Sequence, residues 1–472
     1  MSAAPMNLSL SQLHQWLPGS RLVGDGHRLI GRVHTDSRSV QAHDLFVALR
    51  GERFDGHDFL SSLPRAGVQD AMAEHGLASA ALSGVEVADS LQALQTLAQC
   101  WRAKWAGPLI AVTGSNGKTT VTQMIAAILR AWQGESALAT EGNFNNHIGV
   151  PLTLLRLRDV HRVAVLELGM NHPGEIAVLA SCAQPTVALV NNAQREHQEF
   201  MQSVQAVAEE NGAVIDALPD QGVVVFPRTD PHQARWRQKA GARRILDFGD
   251  TQSAVHLLDS TWNHEGWQWR MHTPLGAMEG RLALPGQHNL HNAQAAVAAS
   301  LAVGAPLTSI AQGLSQFTPV AGRSQRHDLH HQGRVIQLID DSYNANPDSV
   351  RAAIDVLAQS SGPRLLVLGD MGEVGLQGPS FHAEAGAHAH AAGIEQVLTL
   401  GELAKHTAQA CPEAQHMDSM AALQNAVLAT LPNITTVLVK GSRFMHMERV
   451  VQSLLSLNPT QAPMHPQETP CC

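Results

Sequence analysis

A glycine-rich segment ending in lysine and threonine carries the clearest chemistry in the sequence. Residues 113–120 read Thr-Gly-Ser-Asn-Gly-Lys-Thr-Thr and stand between an apolar run, 109–112, and a segment with apolar residues at helical spacing. In this context the turn presents backbone N–H groups and a helix N-terminus to phosphate oxygens. Lys118 would neutralise phosphate charge, and Thr119 would offer its hydroxyl to Mg²⁺. The predicted nucleoside triphosphate site comprises Gly114, Ser115, Asn116, Gly117, Lys118, Thr119 and Thr120.

Two further polar residues follow apolar runs of the same region. Glu167 ends the run that begins at Val163, where a carboxylate without a partner would be costly. We interpret it as a magnesium ligand, with a helix-capping or ion-paired carboxylate as the alternative. His197 follows the run 186–190 and is expected at the same sheet edge, as a metal ligand or phosphate donor. A purely structural histidine is the alternative, because the chain contains 26 histidines.

The elements that would position these residues follow from the hydrophobic pattern. Apolar runs separated by helical periodicity indicate a parallel sheet covered by helices in the middle of the chain. Between 256 and 283 the pattern alternates, with Trp267, Trp269 and Met271 on one face, which predicts antiparallel hairpins. A second open α/β sheet is predicted from later apolar runs, at 335–339, 365–368, 397–400 and 436–439.

The first hundred residues differ, with short strand-like pieces such as 44–49 and a predicted helix from Ser90 to Trp105. Gly107 and Pro108 indicate a linker, and 318–322 a second boundary. The sequence thus predicts an α/β protein of three domains followed by a Pro-, Gln- and Thr-rich tail expected to be disordered. The boundaries are 1–106, 107–320, 321–457 and 458–472.

Composition excludes several classes of function. The chain has 472 residues and a net charge of −9, which is the wrong sign for a protein that neutralises a nucleic-acid backbone. Five scattered cysteines without CxxC spacing argue against a disulfide framework or zinc site. No apolar run reaches the length of a membrane span, and no signal peptide is evident. We therefore expect a cytoplasmic protein without a nucleic-acid partner and without a membrane span.

The sequence also contains two clusters of histidines and three polar residues at predicted strand ends of the last domain. The histidines of two clusters are expected on the surface or on a helix face rather than at a metal. Residues at the strand ends of the last domain could bind substrate or form structural ion pairs. The clusters are His327, His330 and His331, and His382, His388 and His390, and the strand-end residues are Asp370, Lys440 and Arg443.

The phosphate loop, GxxGKT, is two residues shorter than the common GxxxxGKT and resembles that of the Mur ligases and the related folylpolyglutamate synthases. Further segments match the Mur ligases over nearly the whole chain. They include Thr35-Asp36-Ser37-Arg38, 142–151, Gly169-Met170-Asn171-His172-Pro173-Gly174-Glu175, 286–289, 340–347, 369–371 and 440–443.

The resemblance implies an N-terminal domain that binds a uridine nucleotide, a central ATPase and a closing, Rossmann-like C-terminal domain. It implies that ATP, with Mg²⁺ held by Thr119, Glu167 and His197, activates the carboxylate of UDP-N-acetylmuramoyl-tripeptide as an acyl phosphate for attack by D-alanyl-D-alanine. Lys118, Glu167 and His197 would be catalytic, Ser37 and Arg38 would lie near the uridine diphosphate, and Asn145 and Asn146 near the peptide. The remaining nucleotide contacts would be Asn289, Asn292, Arg323, Asp341, Tyr343, Asn344 and Asn346. Tyr343 is equally compatible with stacking near the nucleotide and with local packing.

One position departs from the family pattern. Many members carry a carbamylated lysine where this chain has Asn211, and asparagine cannot form a carbamate. We hypothesise that Glu210 or Glu209 supplies the missing charge near a second metal, with a solvated acidic helix end as the alternative.

Two other functions remain to be distinguished. One is a folylpolyglutamate synthase-like ligase, against which the segment 36–38 and the loop 341–347 count. The other is a nucleotide-dependent switch or binding protein that uses ATP to order a domain without forming a bond. We expect a monomeric ligase, whose ADP release depends on the dipeptide acceptor.

Overall fold

The computed structural model describes residues 5–51, 54–263 and 265–458. They form three consecutive α/β regions, as predicted from the sequence. Beyond Asn458, the tail predicted to be disordered lies outside the described residues, together with Cys471 and Cys472. Within the described ranges, no helix is both long enough and apolar enough to cross a bilayer.

The N-terminal region contains a mostly parallel sheet with the order Arg21–Val23, Ser83–Glu86, Asp70–Ala73, Asp44–Val47 and Arg32–His34. A small antiparallel pair, Leu8–Ser9 with Leu29–Ile30, lies beside it. The helices of the N-terminal region are Leu10–Trp16 and Ser90–Lys104, with a 3₁₀ helix at Gly56–Ala66.

Helix Ser90–Lys104 connects this region to the next one. Asp89 caps its start, and Leu94 and Leu97 are fully buried in a core shared with the central region. Near its end, Arg102 donates to the carbonyl of Ala183 at 2.9 Å, and burial lowers the pKa of Arg102 to about 10. The first two regions therefore share a continuous hydrophobic core.

The central region is built on a parallel sheet whose strands are buried on both faces. Side chains alternate between two cores, so that Leu109 and Ala111 face one and Ile110 and Val112 the other. The strand order is Arg244–Ile245, Val223–Val225, Val187–Val190, Leu109–Thr113, Val163–Glu167 and Ala137–Ala139. The helices are Lys118–Gln133, Gly149–Leu154, Glu175–Ala183, Val204–Asp216, Gln233–Ala240, Gln287–Ala302 and Leu307–Ser315.

Strand register brings the polar strand ends together. Glu167 is paired with Val112, and Val190 with Thr113, so the three strands end side by side at one edge of the sheet. Because all three run parallel, the loops that follow them emerge at this edge. This is the arrangement on which the predicted site depends.

An antiparallel sheet is attached to the central region, as the alternating pattern predicted. Trp267, Trp269 and Met271 are buried, whereas Gln268 and Arg270 between them are exposed. The strand order is Phe248–Gly249, Val255–Asn263, Gly266–Thr273 and Gly276–Leu282, the first pair being parallel.

The C-terminal region is the predicted second open α/β sheet. Its edge strand Gln325–His331 runs antiparallel to Arg334–Asp341, a pairing that the sequence analysis did not anticipate. The order continues with Thr436–Lys440, Arg364–Gly369, Gln396–Leu400 and Ala414–Met417, all parallel. Its helices are Pro347–Ala358, Gly378–Ala391, Ala404–Gln409, Met420–Thr430 and Glu448–Leu455.

Candidate active site

A cleft of about 1600 Å³ lies between the central and C-terminal regions. The phosphate loop forms one wall, and Glu167 and His197 line the same cleft. The opposite wall comes from the loop after Asp341 and from Lys440. The structure thus brings together residues that are separated by more than two hundred positions in the chain.

The glycines of the phosphate loop are required by close approaches. Gly114 has φ +133° and Gly117 has φ +79°, a backbone region that side chains disfavour. A Cβ at Gly114 would lie 2.9 Å from that of Asn191, and one at Gly117 would lie 2.6 Å from Asn292 Oδ1. The tight turn therefore depends on both glycines.

Helix Lys118–Gln133 begins directly after this turn, and Gly117 supplies no capping side chain. The first backbone N–H groups of a helix have no intrahelical acceptor. Together with the positive end of the helix dipole, they form a suitable site for a phosphate group. Thr119 and Thr120, in this first turn, are buried and line the cleft.

Lys118 is fully engaged in the structure. Its ammonium donates to the carbonyl oxygens of Gly114 at 2.6 Å and Ser115 at 3.1 Å, and to Glu196 Oε1 at 2.6 Å. Three acceptors match its three protons. Any phosphate that binds Lys118 must displace at least one of them.

Glu167 lies at the end of its strand and is almost completely buried. Its Oε1 accepts a hydrogen bond from Asn145 Nδ2 at 2.7 Å, while Oε2 is buried without a partner. The alternative interpretations of Glu167, a helix cap or an ion-paired carboxylate, receive no support from these contacts. Asn146 instead caps helix Gly149–Leu154 by accepting from the backbone of Ile148 and Gly149.

His197 lies between two carboxylates. Its Nε2 is 3.4 Å from Glu196 Oε1, and its Nδ1 contacts Glu373 of the C-terminal region. Burial lowers the pKa of His197, but the hydrogen bonds and charges of Glu196 and Glu373 outweigh burial and raise it to about 9. The contact with His197 also lowers the pKa of Glu373.

The donor set of the cleft fits a divalent cation that arrives with a nucleotide. Glu167 Oε2 and Glu196 Oε2 are buried oxygens without hydrogen-bond partners, and the Thr119 hydroxyl belongs to the same cleft. Within the described residues, no three His, Cys, Asp or Glu side chains converge to hold a metal by themselves. Mg²⁺ needs no such cluster, because it commonly combines one or two carboxylates with phosphates and water.

Asn289 and Asn292 lie behind the phosphate loop, on the first turns of helix Gln287–Ala302. Asn292 Nδ2 donates to Asn289 Oδ1 at 3.0 Å, and Asn292 Oδ1 accepts from Asn191 Nδ2 at 3.0 Å. Asn191 in turn donates to the carbonyl oxygen of Asn116 at 2.8 Å. The network ties this helix to the loop, and both predicted residues line the cleft.

The C-terminal region contributes a polar loop. Lys440 is buried and donates to Asp341 Oδ2 at 2.6 Å and to the Asn344 carbonyl at 2.9 Å. Burial favours the neutral acid, but the charge and hydrogen bond of Lys440, with the charge of His288 and the Ser324 N–H, together outweigh burial and lower the pKa of Asp341. The guanidinium of Arg323 lies 4.2 Å from the centre of the Tyr343 ring, and both line the cleft.

Ser37 and Arg38 lie outside this cleft, in the turn after strand Arg32–His34. Asp36 accepts two hydrogen bonds from the Arg38 guanidinium, at 2.9 and 2.7 Å, and these lower the pKa of Asp36. The structure therefore does not bring Ser37 and Arg38 together with the phosphate loop in this cleft.

The acidic residues near Asn211 have structural partners. Glu210 accepts hydrogen bonds from the backbone N–H groups of Gly174 at 2.8 Å and Ile176 at 2.9 Å, at the start of helix Glu175–Ala183. Glu209 is exposed and lies 3.7 Å from Arg235. Asn211 is buried, and its Oδ1 accepts from the Gly114 N–H at 2.9 Å. These contacts do not support the hypothesis that Glu210 or Glu209 serves a second metal.

Of the two histidine clusters, His382 lies within helix Gly378–Ala391, in keeping with a helix-face histidine, and it is completely buried. Its Nε2 accepts from the Met371 N–H at 3.0 Å, and its ring bonds the Gly378 carbonyl at 2.7 Å. His388 and His390 contact Asp355 and Glu413 on the surface. Asp370 accepts from the N–H groups of Leu403 and Ala404, a structural role at its strand end.

Sequence reasoning missed three charged residues that the structure places at the site. Glu196 contacts Lys118, Arg195 contacts Asp348 across the cleft, and Glu373 contacts His197. For Glu196 and Arg195 a signal was available, because both directly precede His197 in the loop after a predicted strand. Glu373 carries no comparable signal, since its partner belongs to another region.

Protein-family models match three consecutive segments of the chain. The model described as "Mur ligase family, catalytic domain" matches residues 29–102, the "Mur ligase middle domain" matches 112–300, and the "Mur ligase, glutamate ligase domain" matches 322–443. The fold and the phosphate-binding cleft agree with this assignment. The chain belongs to the Mur ligase family.

Among its relatives are two UDP-N-acetylmuramoyl-tripeptide--D-alanyl-D-alanine ligases. The one from Escherichia coli is 38% identical, covering 95% of this chain and 98% of the relative, and the one from Bacillus subtilis is 34% identical, covering 90% and 93%. A crystal structure of MurF from Acinetobacter baumannii has a TM-score of 0.89 and 33% identity, covering 96% of this chain and 100% of that chain.

The structure of MurF from Thermotoga maritima in complex with ADP has a TM-score of 0.79 and 25% identity, covering 90% of this chain and 97% of that chain. A folylpolyglutamate synthase from Mycobacterium tuberculosis, complexed with ADP and AMPPCP, is 16% identical with a TM-score of 0.61, covering 78% and 95%. The last likeness shows a shared fold alone.

Proposed function

We propose that this protein joins D-alanyl-D-alanine to UDP-N-acetylmuramoyl-tripeptide in an ATP-dependent reaction, a step of peptidoglycan synthesis. The relatives that match nearly the full chain are named for this activity. ATP use is supported by the ADP complex of the Thermotoga maritima relative. The product would be the UDP-N-acetylmuramoyl-pentapeptide.

The observation that carries the proposal is the meeting of the phosphate loop with Glu167 and His197 in one cleft. An uncapped helix N-terminus and a lysine are suited to a triphosphate. Buried carboxylate oxygens without partners are suited to the cation that accompanies it. Buried carboxylate oxygens usually have a hydrogen-bond partner, and two that lack one here lie in the same cleft as the phosphate loop.

The chemistry requires activation of a poor acylating agent. The γ-phosphoryl group of ATP passes to the terminal carboxylate of the tripeptide, giving an acyl phosphate. The amine of the dipeptide then attacks that carbonyl carbon, and inorganic phosphate leaves. Phosphoryl transfer needs alignment and charge neutralisation more than covalent help from the protein.

We assign the roles of the residues accordingly. Lys118 and the loop Gly114, Ser115, Asn116, Gly117, Thr119 and Thr120 hold the β- and γ-phosphates, once Lys118 leaves its present acceptors. Glu167, Thr119 and His197 would hold Mg²⁺, with His197 giving up the proton that Glu196 and Glu373 stabilise when no cation is bound. The cation would neutralise charge that develops on the phosphate oxygens. Asn145, which donates to Glu167, orients that carboxylate.

Other assignments follow from the resemblance of the sequence motifs to those of the Mur ligases. Asn289, Asn292, Arg323, Asp341, Tyr343, Asn344 and Asn346 would contact the nucleotide, Asn145 and Asn146 the peptide, and Ser37 and Arg38 the uridine diphosphate. The contact between Asn346 and the phosphate loop supports a C-terminal region that closes over ATP and keeps water from the acyl phosphate.

We further propose that the protein acts as a monomer in the cytoplasm. Cys100, Cys182 and Cys411 are free thiols, which is consistent with a reducing compartment. Burial raises the pKa of Cys182 to about 11, so that its thiol stays protonated.

Measurement of ADP release tests the function. With UDP-N-acetylmuramoyl-tripeptide present, we expect sustained release only after addition of D-alanyl-D-alanine, and Lys118→Ala should lower the rate by roughly 10³-fold in a folded protein. Release that ignores the dipeptide would indicate an ATP-driven switch. Release that requires glutamate and a pteridine would indicate a folylpolyglutamate synthase.

A further inference from the structure

Glu196 is a buried carboxylate directly at the phosphate loop. It lies in the loop between strand Val187–Val190 and helix Val204–Asp216 and is 8% exposed. Oε1 accepts from Lys118 Nζ at 2.6 Å and lies 3.4 Å from His197 Nε2. Oε2 is buried and has no partner, although the residue lines the cleft.

This arrangement opposes nucleotide binding. Glu196, with the carbonyl oxygens of Gly114 and Ser115, occupies all three protons of the lysine that is meant to hold phosphate. A carboxylate in this position also repels the incoming triphosphate, and the repulsion is strong where water is scarce. Meanwhile the unpaired Oε2 is costly to bury.

A divalent cation resolves these conflicts together. It would provide a partner for Oε2, offset the repulsion between the carboxylate and the phosphates, and weaken the hold of Oε1 on Lys118. Carboxylates combined with phosphate oxygens are the donors that Mg²⁺ prefers. The lysine would then be free to donate to phosphate instead.

We propose that Glu196 is a positioning residue that makes nucleotide binding depend on Mg²⁺: it holds Lys118 on the loop without nucleotide and releases it when the cation binds. The inference rests on the proposed function only in that Lys118 binds the nucleotide. It assigns to Glu196 a function that neither the sequence pattern nor the resemblance indicated.

Calorimetric titration with the non-hydrolysable analogue AMPPCP tests the inference, in EDTA and in excess MgCl₂. The quantity of interest is the dissociation constant in EDTA divided by the dissociation constant in MgCl₂. For Glu196→Gln we expect binding without Mg²⁺ to strengthen and the ratio to fall about tenfold, since one charge-assisted contact is removed. A ratio within about twofold of the wild type, a difference below 0.5 kcal/mol, would overturn the proposal.

Glu199→Gln is the matched control. Glu199 is exposed three residues further along, carries the same charge and has no contact with Lys118. The ratio should stay at the wild-type value in this variant. Thermal unfolding establishes that each variant is folded, and Glu196→Ala replaces Glu196→Gln if the latter is not.

Lys118→Ala separates this inference from the proposed function. If the function is correct, this variant loses AMPPCP affinity both with and without Mg²⁺. If Lys118→Ala binds as the wild type does, the nucleotide site itself is misassigned. If Lys118→Ala loses binding but Glu196→Gln keeps the wild-type ratio, only the function proposed for Glu196 fails.

Discussion

The side-chain carboxamides of Asn116 and Asn346 exchange two hydrogen bonds, at 2.8 and 3.3 Å, across 230 positions of sequence. Asn116 belongs to the phosphate loop, and Asn346 begins helix Pro347–Ala358 of the C-terminal region. The two regions therefore meet at the proposed nucleotide site. Movement of the C-terminal region would change the contacts of the phosphate loop directly.

Asn346→Ser should weaken this contact without harming the helix. Asn346 also caps its helix, accepting from Ser349 N at 2.9 Å, and serine is an equally good cap. We expect kcat/KM for ATP to fall about tenfold, from the loss of two hydrogen bonds, while the melting temperature changes little. Asn346→Ala, which also removes the cap, should in addition lose about 1 kcal/mol of stability. Wild-type kcat/KM in Asn346→Ser would contradict a role in closure.

Arg195→Ala should weaken the contact between the central and C-terminal regions. The Arg195 guanidinium donates to Asp348 and Glu384, both at 2.7 Å, and lies 5.2 Å from the centre of the Phe381 ring. These carboxylates raise the pKa of Arg195. All three partners belong to the C-terminal region, so the variant should show a larger radius of gyration in small-angle scattering.

A kinetic measurement tests the same contact. With the tripeptide but no dipeptide, the rate of ATP hydrolysis should rise severalfold in Arg195→Ala, because water then reaches the acyl phosphate. Arg195→Lys should be intermediate, since a lysine cannot reproduce the forked contact. Arg237→Ala is the control, because Arg237 pairs with Asp247 within the central region. Unchanged scattering and hydrolysis in Arg195→Ala would show that other contacts hold the regions together.

Glu210→Gln should affect stability but not metal dependence. Both carboxylate oxygens of Glu210 cap helix Glu175–Ala183, and a charged cap at a helix N-terminus contributes about 1 kcal/mol. We therefore expect lower stability in urea unfolding and an unchanged Mg²⁺ dependence of turnover. Glu209→Gln, at an exposed position, should change neither. A shifted Mg²⁺ optimum in Glu210→Gln would restore the hypothesis that it serves a metal.

His291 should contribute to loss of stability in acid. Burial, with the charge of neighbouring His288, lowers the pKa of His291 to about 4. Because this lies below the unfolded value of about 6.5, the unfolded state binds more protons between the two values, and stability falls as pH falls through that window.

Urea unfolding of the nucleotide-free protein at pH values of about 7 and 5 measures this effect. Between pH 7 and pH 5, the free energy of unfolding of the wild type should fall by about 1–2 kcal/mol more than that of His291→Gln. His27→Gln, at an exposed turn, controls for the loss of a histidine. Equal losses in wild type and His291→Gln would show that the histidine titrates normally.

The sequence was most informative where structure is local. The run 109–113, the glycine turn and the helix from Lys118 are consecutive, so hydrophobic period and glycine spacing predict them directly. The alternation around Trp267 and Trp269 likewise predicted a buried face. Edge strand Gln325–His331 was missed because its polar residues show no strand pattern, and its partner strand alone defines it.

The amino-acid sequence by itself determined the phosphate-binding turn, the strands and helices around it, and the family to which they point, because each depends on residues that are neighbours in the chain. Only the tertiary structure decided that Glu196 engages Lys118, 78 positions away, that Arg195 reaches Asp348, 153 positions away, and that Glu210 caps a helix. Such contacts depend on which strands lie side by side and on how the two sheets face each other. The spacing of residues along the chain predicts neither of these.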